Sequence, residues 1–264
     1  MSVADLLVRA PRIGLDGLGD ADLQQRVDVK YLVPLSALAA LAGPLAASHA
    51  LLSVDGLTSF GYRSSYVDTP DLACFHAHRQ GRRLRWKART RLYADSGRCR
   101  FEVKLKTGRG DTDKHSVLVD AAEHGTLPAA GAALLEQVLA EHYRLPAPEL
   151  LLPSLLVEHQ RSTLVAADGS GRTTVDSDLR FVVPSGAGAR LADDLVLVET
   201  KSAGGRSRAD LLLRAAGLRP VSVSKYSCGL ALTDPSLPDH PWRRLLQQHF
   251  HPTPTTLQTT AAAA

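Results

Sequence analysis

Residues 85–91 alternate between cationic and uncharged side chains. The odd positions hold Arg85, Lys87, Arg89 and Arg91, and the even positions carry no charge. Because a strand sends successive side chains to opposite faces, this pattern predicts a β-strand with four positive charges along one face. Like charges about 7 Å apart on a strand repel each other. Such a row therefore serves either solubility or the binding of a polyanion.

The same periodicity extends along most of the chain, with turn-forming residues between the segments. The predicted strands cover residues 24–33, 59–68, 82–94, 98–107, 114–119, 154–166, 171–177, 179–183 and 194–202. Helices are predicted from Pro34 to about Ala47, at 72–80, 130–142 and 207–216, and from near Ser224. Strands joined mostly by hairpins or short helices indicate a mainly antiparallel α+β fold.

Several predicted strands have one apolar face and one charged, mainly basic face. In residues 101–106, for example, Glu102, Lys104 and Lys106 share a face. One architecture that fits is an open sheet, with helices on its apolar face and water on the other. The second is a closed antiparallel β-barrel of about eight strands that forms a basic tunnel, with helices packed outside. The single sign of charge favours the barrel, because a water-facing sheet gains solubility from mixed signs.

Basic residues are concentrated in one part of the chain. The 264 residues carry a net charge of +4, but residues 79–115 contain thirteen Lys or Arg against four Asp or Glu. A local excess of this size suggests an anionic partner. Nucleic acid is not the expected partner, because aromatic residues make up only 5% of the chain and do not interleave with the basic positions as stacking platforms.

Composition also predicts the compartment and the domain organisation. Cys74, Cys99 and Cys228 are too scattered for a disulfide framework or a metal site. No stretch reaches the roughly 18 apolar residues of a transmembrane segment, and no signal-peptide pattern is present. We therefore expect a cytoplasmic protein without a transmembrane segment. Its predicted parts are a leader at residues 1–22, one domain at 23–234, and an amphipathic segment with a disordered tail at 235–264.

The predicted strands offer cations and carboxylates rather than a covalent nucleophile. The candidate phosphate-binding cations are Lys30, Arg89, Arg91, Lys104, Lys114, Arg161, Arg172, Lys201 and Lys225. In Glu199-Thr200-Lys201 and Glu102-Val103-Lys104, a carboxylate shares a face with a lysine. Such a pair either holds a divalent cation beside a phosphate or forms a structural salt bridge. No histidine metal site, P-loop or nucleophile elbow is predicted.

Eight short segments, in this order, resemble one known family. They are Arg26-Val27-Asp28-Val29-Lys30-Tyr31, Tyr66-Val67-Asp68-Thr69, Lys87-Ala88-Arg89-Thr90-Arg91-Leu92-Tyr93, Phe101-Glu102-Val103-Lys104, His159-Gln160-Arg161, Arg172-Thr173-Thr174-Val175-Asp176, Val198-Glu199-Thr200-Lys201 and Ser224-Lys225-Tyr226. On these residues, from about Gln25 to Leu232, the chain resembles the VTC domain. This is the polyphosphate polymerase domain of vacuolar transporter chaperone proteins, within the CYTH-like triphosphate tunnel metalloenzymes.

The resemblance implies an eight-stranded tunnel whose basic walls hold a triphosphate or polyphosphate. It also implies roles for individual residues. The strand faces add further residues to this set. The predicted catalytic residues are Lys30, Arg89, Arg91 and Lys225. The predicted phosphate-binding residues are Lys87, Lys104, Lys114, Arg161, Arg172, Lys201 and Ser224. Glu199 and Glu102 are the predicted ligands of Mn²⁺ or Mg²⁺.

The activity that the resemblance implies is transfer of the ATP γ-phosphoryl group to a growing polyphosphate chain. Two alternatives stay open: hydrolysis of triphosphate or ATP on the same fold, and binding of polyphosphate without catalysis. The triphosphatase branch has a Glu-x-Glu-x-Lys first strand, where this chain has Arg26, Asp28 and Lys30. A cation in place of one carboxylate favours the polymerase branch. His159 stands where the family often has tyrosine.

Overall fold

A computed structural model describes residues 2–18, 27–106 and 112–253. Its strands are β1 (Arg12–Ile13), β2 (Val27–Pro34), β3 (His49–Leu52), β4 (Phe60–Asp68), β5 (Arg85–Tyr93), β6 (Arg98–Lys106), β7 (Thr112–Val119), β8 (Leu152–Ala166), β9 (Gly171–Val182), β10 (Gly188–Leu191), β11 (Leu195–Ser202) and β12 (Phe250–Thr253). Its helices are α1 (Val3–Leu6), α2 (Leu35–Ala46), α3 (Ala73–Arg79), α4 (Ala129–Tyr143), α5 (Arg208–Ala215), α6 (Lys225–Thr233) and α7 (Arg243–His249). Arg26 and much of the predicted tail lie outside the described residues.

One sheet contains all twelve strands and is almost entirely antiparallel. One path of eight strands runs β2-β11-β9-β8-β4-β5-β6-β7, and every neighbouring pair on this path is antiparallel. Strands β10 and β12 extend from β9, while β3 and the parallel β1 extend from β8. None of the helices in the described ranges combines the length and apolarity that crossing a membrane requires.

The predicted closed barrel is wrong, because the sheet stays open. Within the described residues β2 pairs only with β11, and β7 pairs only with β6. Across this opening the contact is between side chains. Lys104 of β6, the strand next to β7, lies 3.6 Å from Asp28 of β2. The prediction failed because alternation specifies which side chains share a face. The same alternation suits a curved open sheet and a closed one.

The few helices cover the apolar face of the sheet. Helix α4 packs Leu135 and Val138 against Phe101 and Val103 of β6, and all four side chains are buried. Helices α1, α2 and α5 cover β2 and β11, and α3, α6 and α7 cover the middle of the sheet. With its apolar face covered in this way, the sheet leaves its charged face for the candidate site.

Buried aspartates fix three of these helices to the sheet. Asp68, at the end of β4, is 1% exposed and accepts hydrogen bonds from the amides of Cys74 and Phe75, which start α3. The Tyr226 hydroxyl of α6 donates to the same carboxylate. Asp210 of α5 accepts hydrogen bonds from Tyr31 of β2 at 2.8 Å, and from β11 by way of Thr200 at 2.7 Å. Burying a carboxylate is favourable only with such partners, so these contacts fix α3, α5 and α6 in place.

Close packing of α6 depends on Gly229, and this contact is testable. A Cβ atom at Gly229 would lie 2.5 Å from Phe181 and 2.6 Å from Leu155, both of which are buried. We expect Gly229→Ala to lower the free energy of unfolding by about 1–3 kcal/mol, because the methyl group overpacks the core.

The matched control is Gly43→Ala in α2, where a Cβ would meet nothing within 4 Å. There the substitution should leave stability unchanged or raise it, because alanine favours a helix by about 1 kcal/mol over glycine. Urea unfolding followed by circular dichroism measures both variants. Equal stability of the two variants would contradict the packing argument.

Candidate functional site

A basic cleft of about 410 Å³ lies on the charged face of the sheet. Strands β2, β4, β5, β6, β7, β8 and β11 contribute side chains to it, as do α3 and the start of α6. Of the described residues that line the cleft, eleven are cations and only Glu102 and Glu199 are acidic. The cations are Lys30, Arg85, Lys87, Arg89, Arg91, Lys104, Lys106, Lys114, Arg161, Lys201 and Lys225.

Strand register brings these charges together. In the antiparallel β5–β6 pair, Arg89 lies opposite Glu102 and Lys87 lies opposite Lys104. Because opposite residues of neighbouring strands point to the same face, the cations of β5 and the charges of β6 enter the cleft side by side. The β4–β5 pair places Tyr66 opposite Arg89 in the same way.

Glu102 holds three of the cations. The Nε and Nη2 atoms of Arg89 lie 2.8 and 2.7 Å from its Oε2, and Arg91 lies 3.7 Å from the same oxygen. Lys114 of β7 contacts Oε1 at 2.5 Å. Burial raises the pKa of the Glu102 carboxyl, but Arg89, Arg91 and Lys114 more than offset this and hold it well below its usual range. The carboxylate therefore stays ionised and orients all three cations.

Asp176 of β9 does the same on the other side of the cleft. It is 0% exposed, and Arg161 donates to both of its oxygens at 2.6 and 2.8 Å. Lys225, the first residue of α6, pairs with Oδ2. Burial raises the pKa of Asp176, but Arg161 and Lys225 hold it well below the usual range. Burial lowers the pKa of the adjacent His159, so that imidazole is neutral.

Glu199 and Asp28 form a third group of ion pairs. Lys30 and Lys201 lie 3.5 and 2.9 Å from Oε1 of Glu199. Lys201 also lies 3.4 Å from Asp28, which Lys104 reaches from the far end of the sheet. Burial raises the pKa of Glu199, and the lysines lower it well below its usual value.

Lys87 is held differently, because its ammonium group donates to the Ser224 hydroxyl at 3.0 Å. Burial lowers its pKa, as do the like charges of Lys104, Lys30 and Arg89, to about 7. Burial likewise lowers the pKa of Lys104 and of Lys225 to about 8. At neutral pH these ammonium groups are therefore close to losing their protons. A bound anion would favour the protonated forms and raise the pKa values again.

Twelve of the thirteen residues predicted from the sequence line this cleft, and Arg172 does not. Arg172 lies on β9 opposite Lys201 and Val165. Sequence reasoning missed Tyr62, whose ring lies 5.3 Å from the Arg91 guanidinium and 5.0 Å from that of Arg161. The polar alternation Tyr62-x-Ser64-x-Tyr66 in β4 was the signal that could have found it.

His78 of α3 was also missed, and it lines the cleft. Burial lowers its pKa to about 2, with Lys87 and Arg85 adding to the effect. No pattern in the sequence points to this histidine, because tertiary packing of α3 on α6, β5 and β4 brings it to the cleft.

The two predicted metal ligands differ in how well they suit a metal ion. Both oxygens of Glu102 are already in ion pairs, with Arg89 on one and Lys114 on the other. Both lysines of Glu199 contact Oε1, and none of the ion pairs found among the described residues uses its Oε2. One ionised oxygen is sufficient for a Mg²⁺ or Mn²⁺ ion that is otherwise held by substrate phosphates. Glu199 therefore fits a metal better than Glu102 does.

Comparisons with known proteins identify the family of this chain and a structure with a similar fold. The family model for the VTC domain matches residues 25–233. A structure from Hippeastrum, described as a candidate adenylyl cyclase with a dominant triphosphatase activity, is similar with a TM-score of 0.51. It is 16% identical, and the alignment covers 81% of this chain and 99% of that one. A candidate adenylate cyclase from Vibrio parahaemolyticus aligns with a TM-score of 0.44 and 14% identity, over 76% of this chain and 95% of that one. No curated protein matches the sequence.

The lowered lysine pKa values predict how anion binding depends on pH. As pH rises, Lys87 loses its proton near pH 7, and Lys104 and Lys225 lose theirs near pH 8. A bound polyanion favours the charged forms and raises these pKa values, so binding takes up protons in this range. The affinity for tripolyphosphate should therefore fall as pH rises through 7 to 8.

Isothermal titration calorimetry in buffers of different ionisation enthalpy measures the proton uptake directly. Lys87→Met should reduce the uptake as well as the affinity. Arg98→Met, which changes an exposed arginine at the β5–β6 turn, is the control and should change neither. Affinity that rises with pH would contradict the assignment.

Proposed function

Because the chain belongs to the VTC domain family, we propose that it is a polyphosphate polymerase. It transfers the γ-phosphoryl group of ATP to the end of a growing polyphosphate chain, which lies in the basic cleft. The observation that carries the proposal is the charge of that cleft, where eleven cations face two carboxylates among the described residues. A polyphosphate carries about one negative charge per phosphate, and a row of fixed cations compensates that charge.

The cations are held in fixed positions, which favours a catalytic site over one that only attracts an anion. Glu102 and Asp176 fix the guanidinium groups of Arg89 and Arg161 through paired hydrogen bonds. A guanidinium held in this way keeps other N–H donors for phosphate oxygens and needs no reorganisation when charge develops. Phosphoryl transfer depends mainly on such positioning and charge stabilisation.

In the proposed reaction, a terminal oxygen of polyphosphate attacks the γ-phosphorus of ATP. The bond from that phosphorus to the β–γ bridging oxygen breaks, ADP leaves, and the chain is one phosphate longer. Arg89, Arg91 and Lys225 neutralise the charge of the transferring phosphoryl group. Lys30 contributes a further positive charge to the same step. The growing chain is held by Lys87, Lys104, Lys114, Arg161, Lys201 and Ser224.

The low pKa values of the carboxylates favour transfer over hydrolysis. Water needs a general base, and ionised groups with strongly lowered pKa values, such as Glu102 and Glu199, are weak bases. A polyphosphate oxyanion needs no deprotonation before it attacks. Lys87 is partly neutral in the unliganded cleft, but bound phosphates raise its pKa and keep it protonated.

A divalent cation completes the proposed site, and Glu199 is the residue that would hold it. Mn²⁺ or Mg²⁺ would supply charge neutralisation between neighbouring phosphates. We assign no metal to Glu102, because its ion pairs occupy both oxygens. The role proposed for Glu102 is to orient Arg89, Arg91 and Lys114. The predicted cytoplasmic location stays a prediction.

Hydrolysis of triphosphate or ATP is the second candidate function. It is favoured by the fold shared with the Hippeastrum protein, for which a dominant triphosphatase activity is described. Binding of polyphosphate without turnover is the remaining alternative. The three functions differ in their products, so a single assay separates them.

The test is incubation of the purified protein with ATP and Mn²⁺, followed by gel electrophoresis of polyphosphate and measurement of free phosphate. We expect chains to lengthen. Lys225→Met should lower kcat by about 100-fold or more, because a fixed cation is lost from the transferring group. Glu199→Gln should lower activity and raise the metal concentration needed for half-maximal activity, because a metal ligand is lost.

The control for these variants is Arg98→Gln, an exposed change outside the cleft that should keep full activity. Release of free phosphate without chain growth would select hydrolysis. Tight binding of polyphosphate without any turnover would select the binding module. Unchanged activity in both Lys225→Met and Glu199→Gln would refute the assigned site.

A further inference from the structure

Three metal-ligating side chains meet on the opposite face of β7 from the cleft. They are Asp113 and His115 of β7 and His142 of α4, and their ligand atoms all lie within 4.8 Å of one another. No other group of three His, Cys, Asp or Glu side chains in the described part of the chain lies this close together. No histidine metal site was predicted from the sequence, because His142 lies in a different element from Asp113 and His115.

We propose that Asp113, His115 and His142 bind a divalent transition-metal ion, with Zn²⁺ as the best fit. Two imidazoles and a carboxylate suit Zn²⁺, whereas Mg²⁺ and Ca²⁺ prefer sites made of oxygen ligands. A water molecule would complete a tetrahedral site. This ion is separate from the one proposed at Glu199, and the inference does not depend on the proposed activity.

The distances fit tetrahedral coordination. Bonds of about 2.0–2.1 Å to nitrogen and oxygen place neighbouring ligands of a tetrahedral zinc ion about 3.3 Å apart. Oδ2 of Asp113 lies 3.1 Å from Nε2 of His115 and 3.8 Å from Nε2 of His142. The two imidazole rings are 5.0 Å apart and inclined by 61°, so they do not stack flat against each other. Small side-chain movements bring the three ligand atoms to one ion.

The position of the site gives the ion a structural role. Strand β7 is an end of the open sheet, and within the described ranges its only strand partner is β6. Two ligands lie on β7 and the third lies at the end of α4, so the ion would join the edge strand to the helix that covers it. In a closed barrel, hydrogen bonds along both edges would secure β7, but among the described residues it has a strand partner along one edge only.

The proposed ion would also affect the cleft, because alternate residues of β7 point to opposite faces of the sheet. Lys114 lies between Asp113 and His115, and its side chain points the other way, onto Glu102. Beside His142, the Tyr143 hydroxyl oxygen lies 2.8 Å from the carbonyl oxygen of Arg85 and 2.6 Å from that of Lys106, one of which accepts its proton. The end of α4 is therefore already fixed to β5 and β6, and the ion would extend this attachment to β7.

The test is titration of the chelator-treated protein with Co²⁺ and Zn²⁺. We expect one Co²⁺ per chain with the intense visible absorption of tetrahedral cobalt, its displacement by Zn²⁺, and a higher Tm with Zn²⁺. His142→Ala should weaken Zn²⁺ binding about tenfold or more, and should remove the rise in Tm. Because alanine favours a helix, this variant should still fold.

Two variants separate this site from other sources of metal binding. His251→Ala changes an exposed histidine of β12 and should bind Co²⁺ as the parent does. Glu199→Gln should also keep the cobalt spectrum, because the cleft is a different site. The proposal would be overturned if the parent bound no Co²⁺, or if His142→Ala bound it with unchanged affinity and spectrum.

Discussion

Buried carboxylates that each hold several cations are the interaction on which the rest of the site depends. Glu102 and Asp176 are almost fully buried, and the guanidinium and ammonium groups around them compensate their charge. Without these anions, the cations of the cleft would repel each other and turn toward water. The two carboxylates orient the cations around them. They neutralise only part of the positive charge, and the excess remains for a phosphate chain. The carboxylates therefore make possible both the fold of this face and its proposed chemistry.

The open edge of the sheet changes how the cleft is held together. Within the described residues β2 has no backbone ladder with β7, and its Asp28 instead meets Lys104 of β6, the strand next to β7. An ion pair such as this one, in which the Lys104 side chain is 44% exposed and that of Asp28 16%, is weaker than a pair of hydrogen-bonded strands. The side of the cleft formed by β6 and β7 is therefore held by side-chain contacts and by helix α4. Asp113, His115 and His142 converge at this edge of the sheet, where the proposed ion would attach β7 to α4.

The site could be predicted from the sequence to a large extent, because its residues lie on regular strands. Alternation along β5 and β6 placed Arg89, Arg91 and Lys104 on one face, and the resemblance to the VTC domain extended the set to Lys225. The same reasoning placed Arg172 in the cleft, which the structure does not support. Alternation gives the face of a strand but not the position along it. The contacts of Tyr62 with Arg91 and Arg161 depend on three strands lying side by side, which no local pattern encodes.

By itself, the sequence determined the family, the antiparallel strands and the basic character of one sheet face. These properties follow from local alternation and from the order of short motifs. Only the tertiary structure decided whether the sheet closes, which carboxylate holds which cation, and that Asp113 and His115 meet His142. Such contacts join residues far apart in the chain, and they are set by strand register, sheet curvature and helix packing. A pattern with a period of two residues carries no information about these properties.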